Sequence, residues 1–253
     1  MKAAILAGGL GSRLVEETRA KSKAMVRLGP QPILWHLLKY YEQYGFNEFV
    51  IALGYRGDSI RAYFDELGAR RPPWTDGPCT TLYPDAEPGW TVQLVETGLE
   101  TQSGGRVKRL APYIGDEPFM LTWCDGLSDV DLQRLRAFHQ AHGRLATLTA
   151  IHPPARFGRL TLEGDRVLAF QEKEVDPDDW VNGAFFVLEP GVFEYIEGDD
   201  TSWERGPLAK LAAAGQLVAY RHEEFWQCMD TLHEAEYLSG LWEEGAAPWK
   251  IWE

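Results

Sequence analysis

The sequence predicts an α/β fold in which a parallel sheet is wrapped by crossover helices. Three observations carry that expectation. Apolar runs of strand length alternate with segments of helical periodicity through the first half of the chain. A strand at the N-terminus empties into a glycine-rich loop. A second buried run, Phe119 to Trp123, ends directly on Cys124-Asp125-Gly126.

The elements justify themselves in order. Ala3 to Leu6 is a short apolar strand. Ile33, Leu34, Leu37, Leu38 and Tyr41 recur at helical spacing, with Pro32 at the start and Gly45 as a stop. Glu48 to Leu53 is of buried-strand type, and Ser59 is placed to cap a helix through Ile60, Tyr63, Phe64 and Leu67. This rhythm suits parallel strands, which cannot be joined by a tight turn. Residues 68 to 89 hold five prolines and little periodicity, so a surface excursion is expected there. Trp90 to Glu96 reads as a strand, Thr97 to Gly105 as a polar loop and Arg106 to Tyr113 as a short helix. A helix over Val130 to Gln140 and a strand over Leu145 to Ile151 complete the wound sheet.

Beyond Pro153-Pro154 the strands shorten: Arg159 to Leu162, Arg166 to Glu172 and Gly183 to Leu188. Helices are expected near Val192 to Ile196 and Leu208 to Ala214. A strand over Leu217 to His222, the segment Trp226 to Asp230 and a last helix over His233 to Trp242 follow. The tail, Pro248-Trp249-Lys250-Ile251-Trp252, is apolar enough to dock on the body.

A net charge of −13 argues against nucleic acid or an anionic membrane as the main partner. Three cysteines, Cys79, Cys124 and Cys228, show no paired spacing, which suits a reducing compartment. No apolar run reaches membrane-spanning length, and the protein is expected to be cytoplasmic.

The first loop, Ala7-Gly8-Gly9-Leu10-Gly11-Ser12-Arg13-Leu14, is built to meet an anion. Glycines let the backbone approach a ligand and aim several N–H groups at it, and Arg13, Lys21 and Lys23 add cations for more than one phosphate. It matches neither common phosphate loop. A Walker A loop needs Lys-Ser/Thr after its last glycine, where Ser12-Arg13 stands. A dinucleotide loop needs a third glycine, where Leu14 stands, and an acidic end to the second strand, which here reads Leu53-Gly54-Tyr55. A plain tight turn competes with the phosphate reading for the loop alone.

Asp125 ends a buried strand and Asp230 follows an apolar segment. Two carboxylates converging on a triphosphate suit Mg²⁺, which keeps water and phosphate oxygens as its other ligands. Capping of a following helix is the competing role, above all for Asp230 ahead of Leu232. Glu172-Lys173 suits a sugar phosphate, although an exposed ion pair has the same sequence. Cys124 and Cys228 flank the two aspartates without completing a thiolate set, and the six histidines suggest no triad.

Leu6 to Leu14 with Lys23 resembles the signature of the sugar-phosphate nucleotidyltransferases. Within them, a set of motifs spread over nearly the whole chain is similar to the glucose-1-phosphate cytidylyltransferases. These are Thr97-Gly98, Thr101 and Gly104-Gly105-Arg106; Gly115 to Phe119; Asp125 to Val130; Arg156-Phe157-Gly158; Phe170 to Lys173; Met229-Asp230-Thr231; and Ala247 to Lys250. The resemblance implies a Rossmann-like mixed, mostly parallel sheet flanked by helices, the nucleotide-diphospho-sugar transferase architecture. It implies one domain over 1–253, its nucleotide-binding part reaching to about residue 150 and its sugar-binding and C-terminal part following.

The implied reaction joins CTP and α-D-glucose 1-phosphate into CDP-glucose and pyrophosphate, and such products feed 3,6-dideoxyhexose pathways. Leu6, Ala7, Gly8, Gly9, Gly11 and Ser12 then hold the triphosphate, with Arg13 and Lys23 as catalytic cations. Asp125 and Asp230 match magnesium ligands. Thr101, Gly105 and Arg106 fall where the base is met, and the Arg106 guanidinium suits the O2 and N3 edge of cytosine. Glu172, Lys173 and Asn182 match the sugar-phosphate pocket. Homo-oligomers, trimers or hexamers, are implied too.

The chain departs from the usual pattern at Ser12, Ser22, Ala24, Trp123-Cys124, Glu174, Ala184 and Cys228. Most of these positions lie in loops around the substrate and bear on sugar and base choice. A related transferase with another sugar phosphate or pyrimidine triphosphate is the alternative. A nucleotide-binding module without catalysis is a third reading, against which Arg13, Lys23, Asp125 and Asp230 count together.

Overall fold

The computed structural model describes residues 1–9, 21–67, 74–75, 80–84, 89–153, 159–171 and 179–253. The chain runs β1 (Ala3–Leu6), β2 (Arg27–Leu28), β3 (Gln31–Pro32), α1 (Ile33–Gln43), β4 (Glu48–Leu53) and α2 (Gly57–Leu67). Next come β5 (Trp74–Thr75), β6 (Thr80–Pro84), β7 (Thr91–Glu96), α3 (Ser103–Ile114), β8 (Phe119–Trp123) and β9 (Gly126–Ser128). Then follow α4 (Leu132–His142), β10 (Ala146–Ile151), β11 (Arg159–Glu163), β12 (Arg166–Gln171) and β13 (Val181–Leu188). Short turns of 3₁₀ and π type lead to α5 (Ala209–Ala213), β14 (Leu217–Arg221), β15 (Trp226–Cys228) and α6 (Leu232–Glu243).

Nine strands form one sheet in the order β14-β10-β13-β8-β1-β4-β7-β6-β5. Only β13 and β6 run against the rest, so the sheet is mixed and mostly parallel, as expected. The chain leaves β1 for β4 and β7 on one side and later places β8 on the other. Strand order therefore reverses at β1, and the carboxyl ends of β1 and β8 open a crevice where ligands bind in such sheets.

Both faces of the sheet are buried, which is why its central strands read as continuous apolar runs. Ala3 and Ile5 face one layer, packed with Leu34, Leu38, Tyr41 and Phe64. Ala4 and Leu6 face the other, with Val107, Leu110, Leu121 and Trp203. The alternation is the two-residue period of a strand.

Three local expectations need correction. The excursion at 68–89 is in part sheet: β5 and β6 extend the edge beyond β7. Helix α2 begins at Gly57, so Ser59 lies in its first turn. Its hydroxyl instead donates to Arg56 O at 2.7 Å and accepts from Ser22 N at 2.9 Å, tying the segment after the glycine loop to α2. Helix α3 begins at Ser103, so Gly104 and Gly105 are helical. A Cβ on Gly104 would lie 2.7 Å from Thr201 O, and one on Gly105 2.6 Å from the Asp199 α-carbon. Close packing, not loop freedom, explains that glycine pair.

The tail docks as its composition suggests. Trp249 is fully buried, stacks on Phe225 at 5.7 Å and donates to His36 Nδ1 at 3.4 Å. His36 also meets the edge of Trp242 at 4.5 Å, and its Nε2 lies 2.9 Å from Leu28 O. Burial lowers this imidazole to about 4, against the pull of the backbone acceptors, so the ring is neutral at physiological pH. Among the described residues no helix is long and apolar enough to cross a membrane.

Candidate active site

A cavity of about 360 Å³ lies at the switch point. Leu6 to Gly9 line it from the end of β1, and Trp123 to Asp125 from the end of β8. The loop Leu99 to Ser103 with Arg106 forms another wall, and Lys23 and Asp230 complete it.

Two carboxylates and one ammonium occupy its floor. Lys23 Nζ stands 2.7 Å from Asp125 Oδ2 and 2.6 Å from Asp230 Oδ1, and the lysine side chain is 10 % exposed. Burial works against the lysine's charge, but the Asp125 charge and the hydrogen bonds to both carboxylates outweigh it. The net effect raises its pKa above that of an ordinary lysine.

A short antiparallel ribbon brings the aspartates together across more than a hundred residues of chain. In it β15 pairs with β9, Cys228 opposite Gly126, and Met229 N donates to Asp125 O at 2.8 Å. Asp125 and Asp230 thus leave the same end of the ribbon. The competing role as helix caps is not theirs. Thr231 caps α6 in a reciprocal box with Glu234, and Asp131 caps α4 by accepting from Arg134 N. Glu234 also accepts from Asp230 N at 2.7 Å, which fixes the backbone under the carboxylate. The pairing of β9 with β15 was not legible in sequence, since each segment is only three residues long.

Among the described residues no group of three or more His, Cys, Asp or Glu side chains stands ready to hold a metal. The floor nevertheless fits Mg²⁺. Two carboxylates reach one common point, offer hard oxygen donors and leave room for phosphate oxygens and water. Burial pushes the Cys124 thiol far up, and burial followed by the Asp230 charge pushes Cys228 up to about 12, so both stay protonated at neutral pH.

Arg106 lines the cavity but is tied to the backbone beneath it. Its Nη1 donates to Thr97 Oγ1 and Gly98 O at 2.7 Å and to Leu53 O at 3.1 Å, and Nη2 reaches Leu99 O at 3.3 Å. At 5 % exposure it is a pillar joining the ends of β4 and β7. It also explains two glycines. A Cβ on Gly8 or Gly54 would lie 2.4 or 2.5 Å from its Nη1. Gly9 has open space around it and lines the cavity.

Helix α3 carries this wall and leans on a segment the sequence did not single out. Gln102 N donates to Asp199 O at 2.8 Å and Gly104 N to Thr201 O at 2.9 Å. Arg109 grips Asp199 with two bonds of 2.8 and 2.6 Å. Gly105, expected at the nucleotide, faces this buttress instead, and the Gly104-Gly105 pair was its available signal. Thr101 is on the cavity wall.

Asn182 is not among the residues lining the cavity. Because β13 runs against β8, with Phe185 opposite Thr122, its first residues sit at the sheet edge where β8 ends. Asn182 Oδ1 accepts from Ala184 N at 2.9 Å, and Ala184 holds φ at +61°. Left-handed backbone costs a residue with a Cβ about 1–2 kcal/mol. The half-buried methyl returns less than about 0.8 kcal/mol. Ala184→Gly is therefore expected to stabilise the protein by about 0.5–1 kcal/mol, read as a higher urea midpoint at unchanged slope. A lower midpoint would contradict the strain assigned here. The expectations for Gly11, Ser12, Arg13, Glu172 and Lys173 fall outside the described residues.

A mostly parallel sheet with a glycine loop, a cation and two carboxylates at its switch point defines a nucleotide-handling α/β transferase, and the chain belongs to the nucleotidyl transferase family, whose model matches residues 2–231. It is 47 % identical over the whole of both chains to the glucose-1-phosphate cytidylyltransferase of Salmonella typhi. It is 40 % identical, again over the whole of both, to the probable glucose-1-phosphate cytidylyltransferase of Bacillus subtilis (strain 168). A solved structure from Bacillus anthracis, a putative glucose-1-phosphate thymidylyltransferase, shares the fold with a TM-score of 0.69 at 18 % identity, covering 95 % of this chain and 94 % of that one.

Proposed function

We propose that this protein transfers CMP from CTP to α-D-glucose 1-phosphate, giving CDP-glucose and pyrophosphate. The observation that carries the reading is the Lys23–Asp125–Asp230 cluster in the cavity lined by Gly8 and Gly9, in a chain whose full-length relatives bear that name. The sugar phosphate is already anionic at neutral pH, so no general base is needed. Catalysis is then positioning and charge neutralisation.

The β1 loop receives the triphosphate, and Arg13 and Lys23 balance its charge. The Leu99–Ser103 loop, held from below by Arg106, receives the base. Glu172, Lys173 and Asn182 take the sugar phosphate, in the part of the chain after about residue 150. Asp125 and Asp230 would hold Mg²⁺, which when bound supplies Lewis-acid stabilisation of charge on the phosphates. The enzyme works in the cytoplasm as a homo-oligomer, a trimer or hexamer. The exposed apolar Val167, Leu168 and Phe170 of the β11–β12 hairpin favour such assembly.

Pyrophosphate release from a panel of nucleoside triphosphates and sugar 1-phosphates tests the reading. CTP with glucose 1-phosphate is expected to give the highest kcat/KM. Robust turnover of another pair with none of this one would sink it.

A further inference from the structure

Resting on that reading, we infer that Lys23 is the resident cation of the metal site. Its ammonium holds the two carboxylates together until nucleotide arrives and draws it away, so the site accepts a divalent ion only together with a triphosphate. Several observations lead here. Lys23 Nζ does not lie beside the carboxylates but between them, bonded at 2.7 Å to Asp125 and 2.6 Å to Asp230. That is the common point both aspartates reach, and therefore the point a shared divalent ion needs. The cluster is buried, with Lys23 and Asp230 side chains 10 and 11 % exposed, so water screens the groups poorly. A divalent ion and an ammonium at one point repel strongly at such dielectric, and the two cannot occupy it together.

The lysine is also able to leave. Its head sits on a flexible four-carbon stem. Its backbone, by contrast, is fixed: Lys23 opens a short 3₁₀ turn (Lys23–Met25) whose preceding residue, Ser22, is tied to Ser59. Swinging the stem moves the charge without moving the chain. The same cavity is lined by Gly8 and Gly9, where the triphosphate is proposed to lie, so the displaced ammonium finds phosphate oxygens as new partners.

Without nucleotide, a divalent ion must evict a doubly bonded cation. Lys23 thus couples the two ligands. By linkage, whatever nucleotide does for metal affinity, metal does for nucleotide affinity.

The sequence explains why this device is available. Lysine is the one cation with both the reach and a compact charge; arginine would bring a planar fork bonded to each carboxylate and would be harder to displace.

The test is Mn²⁺ binding by the whole protein without nucleotide, followed by loss of the free-ion signal in electron paramagnetic resonance. Lys23→Met is expected to bind Mn²⁺ at least about tenfold more tightly than the wild type, while Lys23→Arg stays at or below the wild-type affinity. The same Lys23→Met protein is expected to gain more thermal stability from added Mn²⁺ than the wild type does. If Lys23→Met does not fold alone, Mn²⁺ is expected to restore its circular dichroism spectrum; failure to do so, or an unchanged Mn²⁺ affinity in a folded variant, overturns the inference. Turnover by the wild type is read separately. A wild type active on CTP and glucose 1-phosphate whose Lys23→Met variant gains no Mn²⁺ affinity sinks this inference alone. A gain in affinity beside a wild type inactive on that pair sinks the functional reading alone.

Discussion

Asp125→Asn is expected to lower Mg²⁺-dependent turnover at least a hundredfold while CTP binding is partly kept. The size follows from the work the carboxylate does. It is one of only two described acidic side chains that reach the cluster point, and removing a single preorganised electrostatic partner costs about 10²–10³ in rate. Asparagine keeps the shape but not the charge. Lys23 is then left with Asp230 at 2.6 Å, and the ribbon bond from Met229 N to Asp125 O involves only backbone. The fold should therefore survive with a melting temperature within a few degrees of wild type. Single-turnover kinetics and CTP titration on the same preparation check both halves. Unchanged turnover would refute the metal assignment, and a collapsed fold would move the residue into the structural class.

Arg106→Ala is expected to cost both stability and nucleotide affinity, with the larger kinetic effect on KM for CTP. Thr97 Oγ1, Gly98 O and Leu99 O lose the donor they share, while Leu53 O keeps Thr97 N and Thr97 Oγ1 as donors. Each buried polar group left unsatisfied costs about 1–3 kcal/mol, and because Gly98 and Leu99 are exposed to water the total is about 1–3 kcal/mol. In a chain of this size that is a fall of roughly 5 °C in melting temperature. Lysine is not expected to rescue, because one ammonium cannot span acceptors on two strand ends.

The kinetic signature separates positioning from direct catalysis. A loosened Leu99–Ser103 loop raises KM for CTP about tenfold or more and leaves kcat within a fewfold. A large fall in kcat at unchanged KM would place Arg106 at the reacting phosphate instead.

Much of the sheet was legible because its strands are buried on both faces. Ala3–Leu6, Glu48–Leu53 and Phe119–Trp123 each stand out as unbroken apolar runs, and the helices between them show a clean helical period. The start of α3 was misplaced because glycine normally signals a loop. Gly104 and Gly105 are tolerated in a helix here since Asp199 and Thr201, nearly a hundred residues away, occupy the space where side chains would stand. No local rule carries that information. Short ribbons such as β9 with β15 escape for a related reason: three residues are too few for periodicity, and pairing is set by a partner far along the chain.

By itself, the sequence supplied the candidates for the site: a glycine loop after the first strand, with Arg13, Lys23, Asp125 and Asp230 as its charged set. Residue types and strand ends are local properties, and parallel sheets gather ligands at those ends. Only the tertiary structure decided who touches whom. It placed one ammonium between the two carboxylates, gave the helix cap to Thr231 and left Asp230 to the site. It also tied Arg106 to the backbone at the ends of two strands. Such assignments depend on distances across strands remote in sequence, where a difference of one ångström decides whether a charge is paired, capped or free to meet a substrate.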